Sequence, residues 1–300
     1  MDRQNDLFNR ISEICEAKAD EPMSLHTSFK IGGPADIFAE PGSTEELVSL
    51  LTVLQGVNEP FIVIGNGTNL LVRDEGYRGT VIKIGKGFSD FYVDGLVVKA
   101  GAGMTLAALA KRAADASVSG FEELSGIPGT VGGAVRMNAG AYGVSVSDLL
   151  VSVTYFDGEK LKTISDDEAD LSYRHSIFCD IKNAVIVEAV FEGRCCRPKE
   201  EIAAAQAEYN ERRRNSQPLD FPSAGSTFKR PASGYASRLI DECGLKGCRV
   251  GGAEVSQKHA GFVINTGGAT ACDVLALMEK VEATVLEKTG VELEPEIVIV

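Results

Sequence analysis

Apolar residues recur along the chain in two spacings, which together predict a mixture of helices and strands. Leu7, Ile11, Ile14 and Cys15 repeat at helical spacing, which predicts a helix over 6–18. The same spacing predicts further helices over 45–54, 105–117, 200–214, 237–243 and 270–290. Short apolar runs between turn residues predict a hairpin over 91–100 and strands over 36–39, 61–64, 81–84, 151–156, 161–164, 184–191, 250–255, 260–264 and 293–300. The irregular order of these elements favours an α+β fold over a doubly wound sheet.

The length of 300 residues is compatible with two or three domains. The strands of a first α+β unit end before Gly87, and Pro218 and Pro222 interrupt the chain after a long helix. We therefore predict three domains, with the boundaries 1–87, 88–215 and 216–300.

Residues 120–143 combine seven glycines with apolar side chains such as Leu124, Ile127 and Val131. A flexible linker would be more polar, so we expect this stretch to be ordered. Glycine allows left-handed backbone and the close approach of another group, and exposed backbone N–H groups can bind phosphate. The pattern fits either a tight turn in the core or a cofactor loop, and the glycine content alone does not decide between them.

A second glycine loop, Gly65 to Leu70, follows the predicted strand 61–64. It resembles the dinucleotide fingerprint G-x-G-x-x-G, but Leu70 occupies the sixth position and no helical period follows. A Rossmann unit is therefore not predicted. A loop between two strands that presents N–H groups to a pyrophosphate remains compatible with the sequence.

The net charge of -13 argues against nucleic acid or an anionic membrane as the main partner. No apolar run is long enough to span a bilayer, and the N-terminal segment is too polar for a signal peptide. The seven cysteines are an odd number and lack zinc-type spacing, which predicts reduced thiols in a cytoplasmic protein. His26, His175 and His259 are too scattered to predict a metal site, and His259 is interpreted as a core histidine.

Basic residues cluster late in the chain, where an anionic ligand could bind. The cluster consists of Lys229, Arg230, Arg238, Lys246 and Arg249.

Three polar residues allow both a structural and a chemical interpretation. Arg174 lies among aromatic and hydroxyl residues, so it could be an ion-pair partner within the fold or a clamp for an anion. By pattern alone, Ser226 is typical of a turn, and Glu296 is typical of a solvated residue at the start of a strand.

Eight segments in one order resemble the UDP-N-acetylenolpyruvoylglucosamine reductase family of bacterial cell-wall enzymes. They cover most of residues 25–300 and are HTSFKIGGPAD at 26–36, VIGNGTNLLV at 63–72, GFEELSGIPGTVGGAVRMNAGAYG at 120–143, YRHSIF at 173–178, AGSTFKRP at 224–231, GLKG at 244–247, GGAEVSQKHAGFVIN at 251–265 and LEPEI at 293–297. The chain resembles the shorter class of the family. Only GRCCRPK, at 193–199, lies between the predicted strand that ends at Phe191 and the predicted helix that begins at Glu200, which leaves no room for a tyrosine-bearing loop.

The resemblance implies a two-part FAD-binding domain of the vanillyl-alcohol-oxidase (PCMH) type, over 1–87 and 88–215, and a C-terminal α+β domain that binds the UDP-sugar, over 216–300. It assigns the non-covalent FAD pyrophosphate loop to Gly65, Asn66, Gly67, Thr68, Asn69 and Leu70. It assigns flavin contacts to Ser125, Gly126, Ile127, Pro128, Gly129, Thr130, Gly132, Gly133, Met137, Asn138 and Ala139. On this basis, we expect Gly132→Val to lose FAD before it loses the fold.

The implied reaction reduces UDP-N-acetylglucosamine enolpyruvate to UDP-N-acetylmuramate for peptidoglycan synthesis. NADPH, as co-substrate, supplies a hydride that passes through FAD to C3 of the enolpyruvyl group. The resemblance assigns catalysis to Arg174, which would grip the carboxylate, to Ser226, which would give a proton to C2, and to Glu296, which if protonated could hydrogen-bond the carboxylate. Lys229, which could assist Ser226, and Arg230 are the expected substrate-binding residues.

Two other functions fit some of the sequence. An oxidase with the same FAD-binding fold would share the first two predicted domains but would lack AGSTFKRP and LEPEI. A binding protein for a nucleotide sugar or a flavin would have no need of the set Arg174, Ser226 and Glu296.

Overall fold

The computed structural model of the chain describes residues 3–300, so the first two residues of the predicted N-terminal domain lie outside it. Within these residues lie seven helices: α1 Arg3–Ser12, α2 Thr44–Gly56, α3 Leu106–Asp115, α4 Val131–Arg136, α5 Lys199–Ser216, α6 Ala236–Glu242 and α7 Ala271–Thr289. The same residues form eighteen strands: β1 Glu16–Pro22, β2 Pro34–Glu40, β3 Phe61–Ile64, β4 Leu70–Leu71, β5 Tyr77–Lys83, β6 Phe91–Asp94, β7 Val97–Gly101, β8 Val118–Ser119, β9 Gly140–Ala141, β10 Val144–Ser145, β11 Leu150–Phe156, β12 Leu161–Ser165, β13 Val185–Glu192, β14 Cys195–Cys196, β15 Arg249–Val250, β16 Ala253–Val255, β17 Val263–Asn265 and β18 Val298–Ile299. In the described chain, no helix has both the length and the apolar character that a membrane span requires.

The chain folds into two compact units, and it passes between them several times. Unit 1 comprises the residues up to 19 together with 37–66 and 79–212. Unit 2 comprises 20–36, 67–78 and 213–300. Two early segments thus belong to the unit that contains the C-terminal residues, and the division into three domains stays a prediction.

Unit 1 is organised around a five-stranded antiparallel sheet of order β12-β11-β13-β7-β6. Unit 1 also contains the parallel pairing of β3 with β5, in which Phe61 to Ile64 lie opposite Thr80 to Lys83, and these two strands belong to a sheet of order β1-β2-β5-β3. Helix α2 contributes four fully buried leucines to the core: Leu47, Leu50, Leu51 and Leu54. These leucines form the apolar helix face that the sequence pattern predicts for this segment.

The start of α2 is fixed by local hydrogen bonds. The Ser43 hydroxyl accepts a bond from the Glu46 backbone N–H at 3.2 Å, and the Glu46 carboxylate accepts one from the Gly42 N–H at 2.7 Å. The first of these bonds satisfies an N–H group that the first turn of a helix leaves without a partner, and the second holds the chain just before the helix. The Ser-x-x-Glu signal in the sequence is therefore confirmed as a helix start.

Unit 2 has its own core, to which α7 contributes Val274, Leu277, Met278 and Val281. Phe29, Ile31 and Leu71, from the two early segments, lie in the same core. Asn265 Nδ2 donates to the Phe29 carbonyl at 3.2 Å across a separation of 236 residues. The early segments are thus integral to the packing of this unit.

Helix α7 is capped at both ends. Thr270 and Asp273 form a reciprocal capping box, and Gly290 ends the helix in the left-handed conformation with a φ of 71°. The carboxylate of Asp74 also accepts the N–H groups of Ala271 at 2.8 Å and Cys272 at 2.9 Å. An early segment of the chain therefore caps the last helix.

Several element predictions need correction, among them the predicted strand 260–264, of which only Val263 and Ile264 lie in a strand. The helix predicted over 6–18 ends at Ser12, and β1 follows. Helix α4 lies inside the glycine-rich stretch, where the pattern predicts no helix. The predicted strand 250–255 is interrupted at Gly251 and Gly252, and only Val298–Ile299 of the predicted strand 293–300 is a strand.

Candidate active site

The glycine-rich stretch is ordered around the short helix α4. Thr130 is its N-cap, and its hydroxyl accepts a bond from the Gly133 N–H at 3.4 Å. The Gly132 N–H donates to the Ala102 carbonyl at 2.9 Å, and a Cβ on Gly132 would lie 3.0 Å from the Ala102 Cβ. Gly132 therefore also packs against Ala102, so Gly132→Val would crowd this contact, and the expectation that the variant loses FAD before the fold stays a prediction.

The two stretches predicted to bind FAD touch each other in unit 1. Asn66 Nδ2 donates to the Pro128 carbonyl at 3.1 Å. Gly65 lies so close to Thr130 that a Cβ on Gly65 would overlap the Thr130 Oγ1. Close backbone approach of this kind requires glycine. The structure thus brings Gly65 and Asn66 together with the segment around Thr130.

Backbone groups rather than bulky side chains are available at this junction. Within residues 3–300, the N–H groups of Gly65 and Asn66 donate to no protein acceptor. Gly133 is exposed, and a Cβ there would meet only the Thr130 Oγ1, at 3.5 Å. Consecutive N–H groups without a protein partner are the donor set that binds phosphate oxygens, and a surface free of side chains suits a flat ring. These residues fit a bound FAD.

Ser125 and Asn138, like Asn66, have side chains that form hydrogen bonds within the protein. The Ser125 hydroxyl donates to the Glu122 carbonyl at 2.7 Å and accepts from Asn210 Nδ2 at 3.2 Å. Asn138 Nδ2 donates to the Ser172 carbonyl at 3.0 Å. Their side chains hold the loop in shape, which leaves their backbone for cofactor contact.

Arg174 lies at the tip of a tight turn in unit 1. Ser172 and His175 exchange both backbone hydrogen bonds, at 3.1 and 3.2 Å, so Tyr173 and Arg174 occupy the two corner positions. Arg174 has a φ of 57°, in the left-handed region that non-glycine residues seldom adopt, and such strain is concentrated at functional sites. Because Asn138 binds the Ser172 carbonyl, the glycine-rich stretch helps to hold this turn.

Ser226 and Glu296 are brought together in unit 2. The Thr227 carbonyl accepts the Glu296 N–H at 2.8 Å, and Phe228 pairs with Pro295 as an antiparallel bridge. Buried Thr227 and Phe228 anchor one segment, while Ser226 itself is exposed and Glu296 is partly buried. Two residues that are far apart in the sequence are thus placed on adjacent segments.

The predicted substrate-binding residues lie on the same segment as Ser226. Lys229 Nζ lies 3.3 Å from a Glu294 carboxylate oxygen, and the Arg230 guanidinium lies 4.4 Å from the centre of the Tyr235 ring. The other three cations of the late basic cluster are also paired with carboxylates: Arg238 with Glu242, Lys246 with Asp241, and Arg249 with Glu254. The cluster therefore carries less uncompensated positive charge than the sequence alone indicates.

His259 takes a structural position in the same unit. Its ring packs edge-on against Phe262, and its Nδ1 accepts the Gly261 N–H at 3.2 Å. Burial, together with the nearby charge of Lys246, lowers the pKa of His259, which keeps the ring neutral near pH 7. His259 is only partly buried, and it lines a cavity together with Arg238, Lys246 and Lys258, so the interpretation of His259 as a core histidine stays a prediction.

Sequence reasoning missed the residues that hold the candidate catalytic groups. Thr227 fixes the Ser226 segment, since its N–H donates to the Gly261 carbonyl at 2.8 Å and its hydroxyl accepts the Val263 N–H at 2.9 Å. Ser172 holds the turn that carries Arg174, because its backbone N–H and carbonyl both bond to the backbone of His175. The only signal for them in the sequence is their position close to a candidate residue.

Comparison with known proteins gives a consistent result over the whole chain. The family model for the C-terminal domain of UDP-N-acetylenolpyruvoylglucosamine reductase matches residues 217–300, and the model for an FAD-binding domain matches residues 35–160. The mixed helices and strands and the FAD-binding match confirm the predicted α+β fold class.

The curated relatives that carry the name UDP-N-acetylenolpyruvoylglucosamine reductase include two that match nearly the whole chain. The protein from Agathobacter rectalis is 51% identical over 292 residues, which are 93% of this chain and 92% of the relative. The protein from Caldanaerobacter subterraneus subsp. tengcongensis is 48% identical over 301 residues, which are 98% of each chain. The crystal structure of UDP-N-acetylenolpyruvylglucosamine reductase from Thermus caldophilus superposes with a TM-score of 0.79 at 36% identity, over 95% of this chain and 98% of that one.

Proposed function

This chain belongs to the UDP-N-acetylenolpyruvoylglucosamine reductase family, and from that membership we propose that it reduces UDP-N-acetylglucosamine enolpyruvate to UDP-N-acetylmuramate with NADPH. The enzyme is an FAD-dependent oxidoreductase of peptidoglycan precursor synthesis. The structural observation that most supports the proposal is the pairing of the Ser226 segment with the Glu296 segment, because the reaction needs a proton donor beside a group that stabilises the substrate carboxylate.

The chain would hold FAD mainly through backbone. The loop 65–70 offers the N–H groups of Gly65 and Asn66 for the pyrophosphate, and the segment around Thr130 and Gly133 offers a surface without bulky side chains for the ring. When bound, FAD supplies hydride transfer from NADPH to C3 of the enolpyruvyl group.

Arg174 is proposed to bind the carboxylate of the enolpyruvyl group. A guanidinium can grip a carboxylate through two parallel hydrogen bonds, and it offsets the negative charge that spreads onto this group as C3 gains a hydride. The strained turn supports this role, because a fixed backbone limits the range of positions that the guanidinium can occupy.

Ser226 is proposed to give the proton to C2, and Glu296 to donate a hydrogen bond to the substrate carboxylate in its protonated form. The exposure of Ser226 leaves it accessible to a ligand. Lys229 and Arg230 are proposed to contact the substrate beyond the reacting group.

The first test is to follow NADPH oxidation by the purified yellow protein with and without UDP-N-acetylglucosamine enolpyruvate. The proposal expects oxidation that depends on the sugar. Oxidation at the same rate without it, with consumption of oxygen, would favour the oxidase alternative instead.

The second test separates the two half-reactions in Ser226→Ala. Flavin reduction by NADPH should be unchanged, while flavin reoxidation by the enolpyruvyl sugar should slow by about 10²–10³, the usual range for loss of one transition-state donor. Ser223→Ala in the same loop is the matched control, since Ser223 bonds to Ser28 through its backbone carbonyl. Equal reoxidation in Ser226→Ala and the control would remove Ser226 from its role.

A further inference from the structure

Asn69 connects the predicted FAD loop to the segment that carries Glu296, within unit 2. Its side-chain Nδ2 donates to the Glu296 carbonyl at 3.1 Å. Its own backbone carbonyl accepts the Val298 N–H at 2.9 Å. Directly after it, β4 pairs in parallel with β18, with Leu70 opposite Val298. Asn69 thus makes the first of several consecutive hydrogen bonds between the loop and the C-terminal segment.

Glu296 is held from two sides through its backbone. Its N–H donates to the Thr227 carbonyl, next to Ser226, and its carbonyl accepts from Asn69. The following residue, Ile297, is buried in the core of the unit. Because both backbone polar groups of Glu296 have partners and the next side chain is anchored, the direction in which the Glu296 side chain leaves the backbone is fixed.

We propose that Asn69 is a positioning residue for Glu296, so that one loop serves both the cofactor and the catalytic carboxyl group. This inference rests on the proposed role of Glu296 in catalysis. The carboxamide of Asn69 is the donor that joins the loop to the Glu296 carbonyl. Its loss removes that bond and leaves the backbone of Glu296 held by the Thr227 carbonyl alone, which widens the range of directions that the Glu296 side chain can take.

Asn66 in the same loop provides a comparison. Its carboxamide also donates to a backbone carbonyl at 3.1 Å, but the acceptor is Pro128 in unit 1. Two asparagines of one loop therefore hold different segments, and the bond from Asn69 is the one that reaches Glu296.

The experiment compares Asn69→Asp, which keeps the shape but loses the donor, with the wild type at saturating FAD. Reoxidation of the reduced flavin by the enolpyruvyl sugar should slow by about tenfold more than reduction of the flavin by NADPH, which reports any effect of the variant on the FAD loop itself. Hydrogen exchange of the backbone amides of residues 296–300 in the holoenzyme should become faster. Asn69→Ala, which removes the donor without adding charge, should give the same pattern if the Asp variant binds FAD poorly.

A double-mutant cycle with Glu296→Gln separates positioning from a general effect. If Asn69 acts through Glu296, Asn69→Asp should slow reoxidation by less than about twofold in the Glu296→Gln background. Asn66→Asp should instead combine with Glu296→Gln multiplicatively, since it holds a different segment.

Two outcomes would overturn the inference, and they are distinguishable from failure of the proposed function. Equal slowing by Asn69→Asp in both backgrounds, or unchanged amide exchange at 296–300, would show that Asn69 does not position Glu296. Full activity of Glu296→Gln alone would instead remove Glu296 from the proposed mechanism and the inference with it.

Discussion

Gly65→Ala tests the contact between the two stretches assigned to FAD. The added methyl would overlap the Thr130 Oγ1 and lie 3.1 Å from its Cγ2 and 3.2 Å from its Cβ. Thr130 is buried, and its hydroxyl accepts the Gly133 N–H, so the side chain cannot turn away without loss of the α4 cap. The loop or the helix must therefore shift.

The expected change in the free energy of unfolding follows from two effects, overpacking at Gly65 and loss of the N-cap at Thr130. Overpacking of this kind costs about 1–3 kcal/mol, and loss of an N-cap in Thr130→Ala costs about 1 kcal/mol. Independent effects would add to about 2–4 kcal/mol in the double variant. Because Thr130→Ala removes the two atoms that lie closest to the Gly65→Ala methyl, the double variant should lose only about 1 kcal/mol, close to Thr130→Ala alone.

The assay is urea unfolding of the wild type, both single variants and the double variant, with an FAD titration of each. Gly56→Ala is the control, since a Cβ there meets no atom within 4 Å. Because Gly56 is the last residue of α2, Gly56→Ala should leave the free energy of unfolding unchanged or raise it by up to about 1 kcal/mol, so any loss in Gly65→Ala is specific to that contact. Wild-type stability in Gly65→Ala, or strict additivity in the double variant, would refute the reasoning about this contact.

Three further predictions concern other regions of the chain. Asp74→Ala should destabilise the protein by about 1 kcal/mol at pH 7, because the variant loses the cap of α7. Burial raises the pKa of Asp74, but the bonds from the two helix N–H groups outweigh burial, and the pKa is lowered. The stabilisation by Asp74 is therefore present above about pH 4, and urea unfolding should show the difference between wild type and variant vanish as the pH falls through the folded pKa. Gly132→Val should lower the free energy of unfolding by about 1–3 kcal/mol, whereas Gly133→Val, at an open position, should weaken FAD binding with little change in stability, as paired unfolding and flavin titrations would show. Burial, with the charges of two nearby glutamates, raises the pKa of Cys15 to about 11, so iodoacetamide at pH 8 should modify the exposed Cys195 and Cys196 and spare Cys15 in a mass-spectrometric time course.

Local signals in the sequence predict many element boundaries. Ser43 with Glu46 marks the start of α2, and Gly290 marks the end of α7, because each acts within a few residues of its own position. By contrast, the pattern does not predict β1, since its residues are mostly exposed and it lies at the edge of its sheet. Helix α4 is hidden because Gly132 and Gly133 lower helix propensity while tertiary contacts hold the turn.

In the candidate site, too, some features follow from the sequence and others depend on contacts between distant segments. The resemblance supplies the names of Arg174, Ser226 and Glu296, but no local pattern relates Ser226 to Glu296. Their proximity depends on backbone pairing between distant segments, and the hydrogen bond from Asn69 depends on a third. Such long-range pairings carry no period in the sequence, so only the structure could provide them.

The interleaving of the two units has a consequence for synthesis on the ribosome. Phe29 belongs to a core that also needs Asn265 and α7, and the bond between Phe29 and Asn265 spans 236 residues. At about 5–20 residues per second, the early segments wait on the order of ten to fifty seconds for their partners. During that interval, Phe29, Ile31 and Leu71 are exposed apolar residues on a nascent chain, so chaperone capture and aggregation compete with folding before this core can form.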